Sequence, residues 1–136
     1  MMSNKITKAS LRLFTNEASI EFISKSLCLI PSTQHVRGEP VSKRSAASGV
    51  YTYSVWIFDS RLPDSANIHD HLTSLVELLE SKHEALDTIR GRTTAVDIFC
   101  MFSSESGQGS AEMDSCLLRR LADQRIDLVI DLYPPS

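Results

Sequence analysis

The sequence predicts one α+β domain over residues 1–136, ordered β-α-β-α-β-α-β, with a mixed sheet of about four strands packed by three helices. Three observations carry the prediction. Period-two alternation marks strands near 9–14, 50–59, 94–103 and 126–133, and apolar stripes of helical period lie between them. The second strand is apolar on both faces, as an internal strand is, whereas the last alternates with acids and reads as one-sided. A length of 136 residues suits a single core, and no internal repeat or second domain is visible.

Each element follows from its residues. Ala9-Ser10-Leu11-Arg12-Leu13-Phe14 alternates as a half-buried strand does. Asn16 or Ser19 then caps a helix, with Glu17 and Glu21 near its positive end. Ile20, Ile23, Leu27 and Cys28 fall on one stripe, and Pro31 ends the helix because the residue before a proline avoids the helical conformation. Residues 32–49 read as a long polar loop, within which Val36 and Val41 allow a short edge strand. Val50–Asp59 has the aromatic and β-branched composition of a packed strand, broken by Leu62-Pro63-Asp64.

From Asn67 onward, Ile68, Leu72, Leu75, Val76 and Leu79 mark an amphipathic helix. Leu86 and Ile89 continue it after Ser81, as one kinked helix or as two, up to a stop at Gly91. Thr94–Ser103 is the third strand, followed by a glycine- and serine-rich loop. Ser110 or Ala111 opens a helix with the stripe Met113, Cys116, Leu117 and Leu121. Ile126–Tyr133 is the last strand, and Pro134-Pro135 ends the domain.

Composition narrows the function. Hydrophobic residues make up 42% and charged residues 23%, ordinary for a soluble globular protein. A net charge of -3 supplies no overall field for nucleic acid or an anionic membrane, although Arg37, Lys43 and Arg44 form a local basic spot. Met1–Lys8 is polar, no apolar run spans a bilayer, and the expected location is cytoplasmic. Cys28, Cys100 and Cys116 are odd in number and lack a C-x-x-C, which argues against a disulfide framework and a zinc knuckle. Their apolar-periodic positions predict reduced thiols in the core.

Several of these residues also make a pattern. A helix closing on Leu27 and Pro31, then Thr33, leads to Gly38-Glu39 and a strand carrying Trp56. His71, Leu72, Leu75 and Leu79 then share a helix, and Tyr133 lies near the end of the last strand. With Leu11 and Phe14, this resembles a family of bacterial and phage-associated proteins known as domain of unknown function 4279. The resemblance covers nearly the whole chain. It implies a small stand-alone domain and assigns no activity, cofactor or catalytic residue. By analogy with other small solitary bacterial domains, it suggests an immunity or inhibitor protein.

No catalytic residue, metal or cofactor is assigned from the sequence. His69 and His71 are two apart, so a helix points them to different sides, and they lack the i, i+4 spacing of helical zinc sites. His71 is expected to pack or hydrogen-bond at the helix start, with His69 solvated. Asp97, Asp127 and Asp131 read as a solvated sheet face, the last two being roughly 13 Å apart on one strand. Ser106-Gly107-Gln108-Gly109-Ser110 lacks the Lys-Ser/Thr ending of a phosphate loop, and Glu112 and Asp114 would repel phosphate. No Gly-x-Ser-x-Gly elbow or triad order is present.

The functional expectation is a non-catalytic, immunity- or inhibitor-type binding domain. Its partner is another protein or a second copy, not nucleic acid and not a membrane. Candidate binding residues are Arg37, Glu39, Tyr51, Tyr53, Trp56 and His71, since Trp, Tyr and Arg dominate binding hot spots. Trp56 reads either as a core anchor or as a neighbour of Tyr51 and Tyr53 on an exposed aromatic patch. The alternative is a small-molecule binder or enzyme with a pocket between the sheet and the 32–49 loop. There Arg37, Glu39, Trp56 and His71 would converge.

Overall fold

Alternation at the start of the chain runs further than the apolar letters alone indicate. Strand β1 spans Lys5–Thr15, with Thr7, Ala9, Leu11, Leu13 and Thr15 buried and the intervening side chains more exposed. The computed structural model describes residues 5–16, 19–42, 47, 49–93, 95–104 and 109–133. After β1 come α1 (Ile20–Leu27), β2 (Thr33–His35), β3 (Ser54–Asp59), α2 (Ile68–Ser81) and α3 (His83–Arg90). They are followed by β4 (Ala95–Ser104), α4 (Ser115–Asp123) and β5 (Asp127–Tyr133). The sheet order is β2-β3-β1-β4-β5. Strand β2 runs antiparallel to β3, and β5 runs parallel to β4, so the fold is α+β with a mixed sheet, as predicted.

Among the described residues there are five strands and four helices, one of each more than the sequence suggested. The added strand is β2, a three-residue edge strand within the 32–49 segment, formed at Thr33–His35 rather than at Val36 or Val41. The added helix arises because Lys82 leaves the helical region at φ -120° and ψ 29°, splitting the 67–91 stripe into α2 and α3. Strand β3 starts at Ser54, not Val50, because residues 50–53 belong to a separate arm.

Packing divides the chain into two compact units. The first comprises Met1–Leu11, Asp59–Ser81 and Asp97–Ser136. Here α2 buries Ile68, Leu72, Leu75, Val76 and Leu79, each contributing roughly 1.5–3 kcal/mol gross. Helix α4 packs against α2 through Leu117 and Leu121. Arg120 donates a fork to Glu80, with Nε to Oε2 at 3.0 Å and Nη2 to Oε1 at 2.6 Å. That pair is at the surface, where solvent screens it, and it adds little to stability. Helix α4 opens at Ser115, later than expected, because Asp114 caps it and accepts the Leu117 amide at 2.8 Å. Cys116 is therefore exposed on its first turn, not buried in the stripe, whereas Cys100 is in the core.

The second unit comprises Arg12–Phe58 and Lys82–Val96. Ser19 caps α1, accepting the Phe22 amide at 3.0 Å, and Ile20, Ile23 and Leu27 face inward. The helix stops at Cys28, three residues before Pro31. Cys28 adopts the left-handed conformation at φ 55°, with its amide directed at Lys25 and Ser24 carbonyls. A residue in that cap leaves the helical stripe, which is why Cys28 is exposed and not in the core. Helix α3 packs against α1 and buries Leu86 and Ile89. Trp56 is fully buried, stacked on Phe58 at 6.0 Å, and donates its indole N–H to Ser24 Oγ at 3.0 Å.

Candidate functional site

Between β2 and β3, in the second unit, the chain makes an arm over residues 36–53. Its described part is held by backbone bonds. Gly38 N donates to the Tyr51 carbonyl and Tyr51 N to the Glu39 carbonyl, both at 2.9 Å, and Val41 N donates to Gly49 at 3.0 Å. Pro40 and Val50 form an antiparallel bridge. Arg37 N reaches Ser54 Oγ at 3.1 Å. Gly38 and Gly49 turn the arm at φ 90° and 80°, a conformation that side chains disfavour. His35 stacks on Tyr51 at 4.5 Å, closing the base of the arm with an aromatic pair.

This ordered backbone presents apolar side chains to solvent. Val36, Val41, Val50 and Tyr53 are all among the exposed large hydrophobics, Val50 at 56%. Arg37 and Glu39 are exposed beside them, and Tyr51 is half-buried. The structure therefore gathers Arg37, Glu39, Tyr51 and Tyr53 on one arm. The sequence reading passed over Val50 here. Its signal is a valine directly after Ser48 and Gly49, at the end of a polar segment. Lys43 and Arg44 lie outside the described residues.

Trp56 and His71 do not join that surface. Trp56 has no exposed area, so its candidacy as a contact residue is corrected: the indole is a core anchor tied to α1. His71 belongs to the first unit and is 1% exposed. Its Nδ1 lies 2.6 Å from Ser60 Oγ, while its Nε2 is buried without a hydrogen-bond partner. Burial pushes its pKa below the ordinary value, opposed by the nearby Pro63 carbonyl and the Asp64 and Asp70 carboxylates. A short Ser–His contact has the form of a nucleophile and its base. Both side chains are more than nine-tenths buried, however, and the hydroxyl also receives the Leu62 amide at 3.4 Å. The pair clamps the β3–α2 loop onto α2, as expected for a packed histidine. Arg61 beside it takes a left-handed φ of 66°.

The His69-Asp70-His71 run is split by the helix, as its spacing requires. His69 sits in a different cleft of the first unit, of about 430 Å³, with Lys5, Asn67, Phe102, Glu112 and Asp114 among its lining. Its Nε2 is 3.2 Å from Asp114 Oδ2, so it is paired as well as solvated. The Leu117 amide holds the Asp114 carboxyl below its ordinary range, and His69 adds to this. His71 lines a smaller cleft of about 240 Å³ with Lys8, Ser10, Asp59 and Arg61. Parallel pairing sets Asp97 beside Asp127, while Asp131 lies beside Met101. Asp97 is buried, which corrects the reading of all three as a solvated face. Among the described residues, no three His, Cys, Asp or Glu side chains gather where they could hold a metal ion.

Comparison with known proteins adds the family and nothing on activity. A family model described as domain of unknown function DUF4279 matches residues 4–135, nearly the whole chain. No curated protein and no solved structure matches.

Proposed function

The chain belongs to the DUF4279 family, and from its geometry we propose that it is a non-catalytic protein-binding domain of the immunity or inhibitor kind. The arm at 36–53 is its contact surface. One observation carries the reading: a segment ordered by its own backbone bonds turns Val36, Val41, Val50 and Tyr53 outward beside Arg37. Exposed apolar side chains on an ordered scaffold mark interaction sites, and the backbone-bonded, described part of the arm loses little entropy on binding. By sequence the arm carries Arg37, Lys43 and Arg44 against Glu39 alone, in a chain of net charge -3. The matching partner is thus a protein surface with an apolar pocket rimmed by acids. Among the described residues no helix is long and apolar enough to cross a membrane, and Cys28, Cys100 and Cys116 are free thiols. Both fit a cytoplasmic working place.

The test compares capture by wild type, Arg37→Glu and Tyr53→Ala. Both variants should weaken a captured partner by about tenfold or more, with melting nearly unchanged because both positions are exposed. A partner held equally by all three proteins would refute the arm as the contact surface.

A second reading, small-ligand binding, draws on the 430 Å³ cleft around His69, a volume in the ordinary range for ligand pockets. That cleft contains none of Arg37, Glu39, Trp56 and His71. The reading predicts that His69→Ala removes ligand-induced thermal stabilisation that Arg37→Glu leaves intact.

A further inference from the structure

We infer that β5 is a self-association edge, and that two copies of this chain pair antiparallel through it about a two-fold axis at Ile130. The inference is independent of the arm. Strand β5 ends the sheet order, so its outer backbone groups have no strand partner among the described residues. Such an edge is a ready template for another strand. Edges are commonly blunted by charge or proline; this one carries Asp127 and Asp131 yet exposes Val129 at 38%, Ile130 at 40%, Leu132 at 69% and Tyr133 at 48%. Four of the eleven exposed large hydrophobics among the described residues thus fall on one seven-residue strand.

The order of residues identifies the occupant. In Asp127-Leu128-Val129-Ile130-Asp131-Leu132-Tyr133 the residues of one face, Leu128, Ile130 and Leu132, are symmetric about Ile130, and those of the other face are not. In a two-fold antiparallel pair centred there, Ile130 meets its own copy and Leu128 meets the partner's Leu132, all on one face. On the other face Val129 meets the partner's Asp131, and Asp127 meets the partner's Tyr133, whose phenol is bonded to Asp131 of its own strand. No acid opposes an acid. Shifting the register by two residues sets Asp127 against the partner's Asp131 in one direction and Asp131 against its own copy in the other. Shifting by one sets Leu128 against the partner's Asp131 and Asp127 against Leu132 in one direction, and Ile130 against Asp131 in the other, so an apolar side chain faces a carboxylate either way. Like charges directly opposite are destabilising, so the centred register is the favoured one. A second copy pairs the backbone groups of the edge and joins the apolar face of Leu128, Ile130 and Leu132, and the pairing closes on itself.

The experiment is sedimentation equilibrium of the full chain, backed by cross-linking. Wild type should run as a concentration-dependent dimer. Ile130→Asp puts two carboxylates face to face on the axis and should weaken the dimer by at least about a hundredfold. Ile130 is partly exposed, so the monomer should keep its melting temperature. Val129→Lys should tighten the dimer several-fold at low salt, because each lysine meets the partner's Asp131. In the register centred on residue 129 the two lysines would repel, so the sign of this effect reads the register.

With Cys28 and Cys116 replaced by serine, Ile130→Cys should form a disulfide-linked dimer under mild oxidation. Opposed Cα atoms in antiparallel strands are about 4.5–5.5 Å apart, within disulfide reach. Asp127→Cys should not cross-link, since its copy would lie roughly 20 Å away along the strand. A wild type that stays monomeric throughout overturns the proposal and leaves the edge for a different chain's strand. A dimer indifferent to Ile130→Asp, or one weakened by Val129→Lys, overturns it as well.

Discussion

Replacing Trp56 tests whether the sole tryptophan works in the core or at a contact surface. In Trp56→Phe the phenyl ring still stacks toward Phe58, but the indole N–H that reaches Ser24 Oγ at 3.0 Å is gone. Losing that bond costs about 1 kcal/mol. The lost ring area, on the order of 40 Å², removes about 1 kcal/mol of apolar burial. The space left behind adds up to about 1 kcal/mol, because Trp56 is fully enclosed and its neighbours relax only in part. The sum is roughly 2–3 kcal/mol, or about 7–10 °C in melting temperature for a chain of this size. Ser24→Ala alone should cost about 1 kcal/mol, and the double variant less than the sum, because the two changes remove one shared bond. Urea unfolding followed by far-ultraviolet circular dichroism measures all three, since the fluorophore itself is removed. A Trp56→Phe protein with wild-type stability would refute the core assignment, and loss of partner capture with that stability would place the indole at the contact surface.

Two further predictions concern titratable groups. Because burial lowers the His71 pKa from its ordinary 6.5, the unfolded chain takes up the proton first. The contribution of His71 is therefore complete above about pH 6.5 and falls as pH drops from there toward the folded value, with a slope of at most about 1.4 kcal/mol per pH unit. His71→Gln should flatten that stretch of a stability–pH profile, and an unchanged slope would clear His71 as its source. For the thiols, Cys28 and Cys116 should label rapidly in the native protein while Cys100 does not. Burial pushes the Cys100 thiol up to about 12, so it is both shielded and protonated. Native labelling of three thiols at one rate would contradict the core.

Long periodic segments were legible in the sequence, and their ends were not. The α2 stripe from Ile68 to Leu79 is buried as its spacing requires, because five inward side chains outvote any single local preference. At Cys28 the reverse holds. One residue turning left-handed ends α1, and nothing in a cysteine announces that choice. Asp114 could have been read as a cap, but Ser110 and Ala111 fitted the stripe of Met113 and Cys116 equally well. Arg37, Glu39, Tyr51 and Tyr53 share one arm because they lie close together in sequence, in and beside the polar segment. Trp56 and His71 were drawn into the same set by chemistry alone. Their burial follows from α1 and from Ser60, partners distant in sequence and invisible to a local pattern.

The two edges of the sheet are unequal, and the inequality bears on aggregation. Strand β2 offers three residues, bracketed by Pro31 and Pro40, and β5 offers seven. Pairing β5 with the β2 of another molecule would leave one free edge of each kind and so propagate without limit, the geometry of a fibre. A three-residue docking strip between prolines cannot anchor such a chain of molecules. The short edge thereby acts as a terminator, and the apolar long edge can persist without committing the protein to polymerisation.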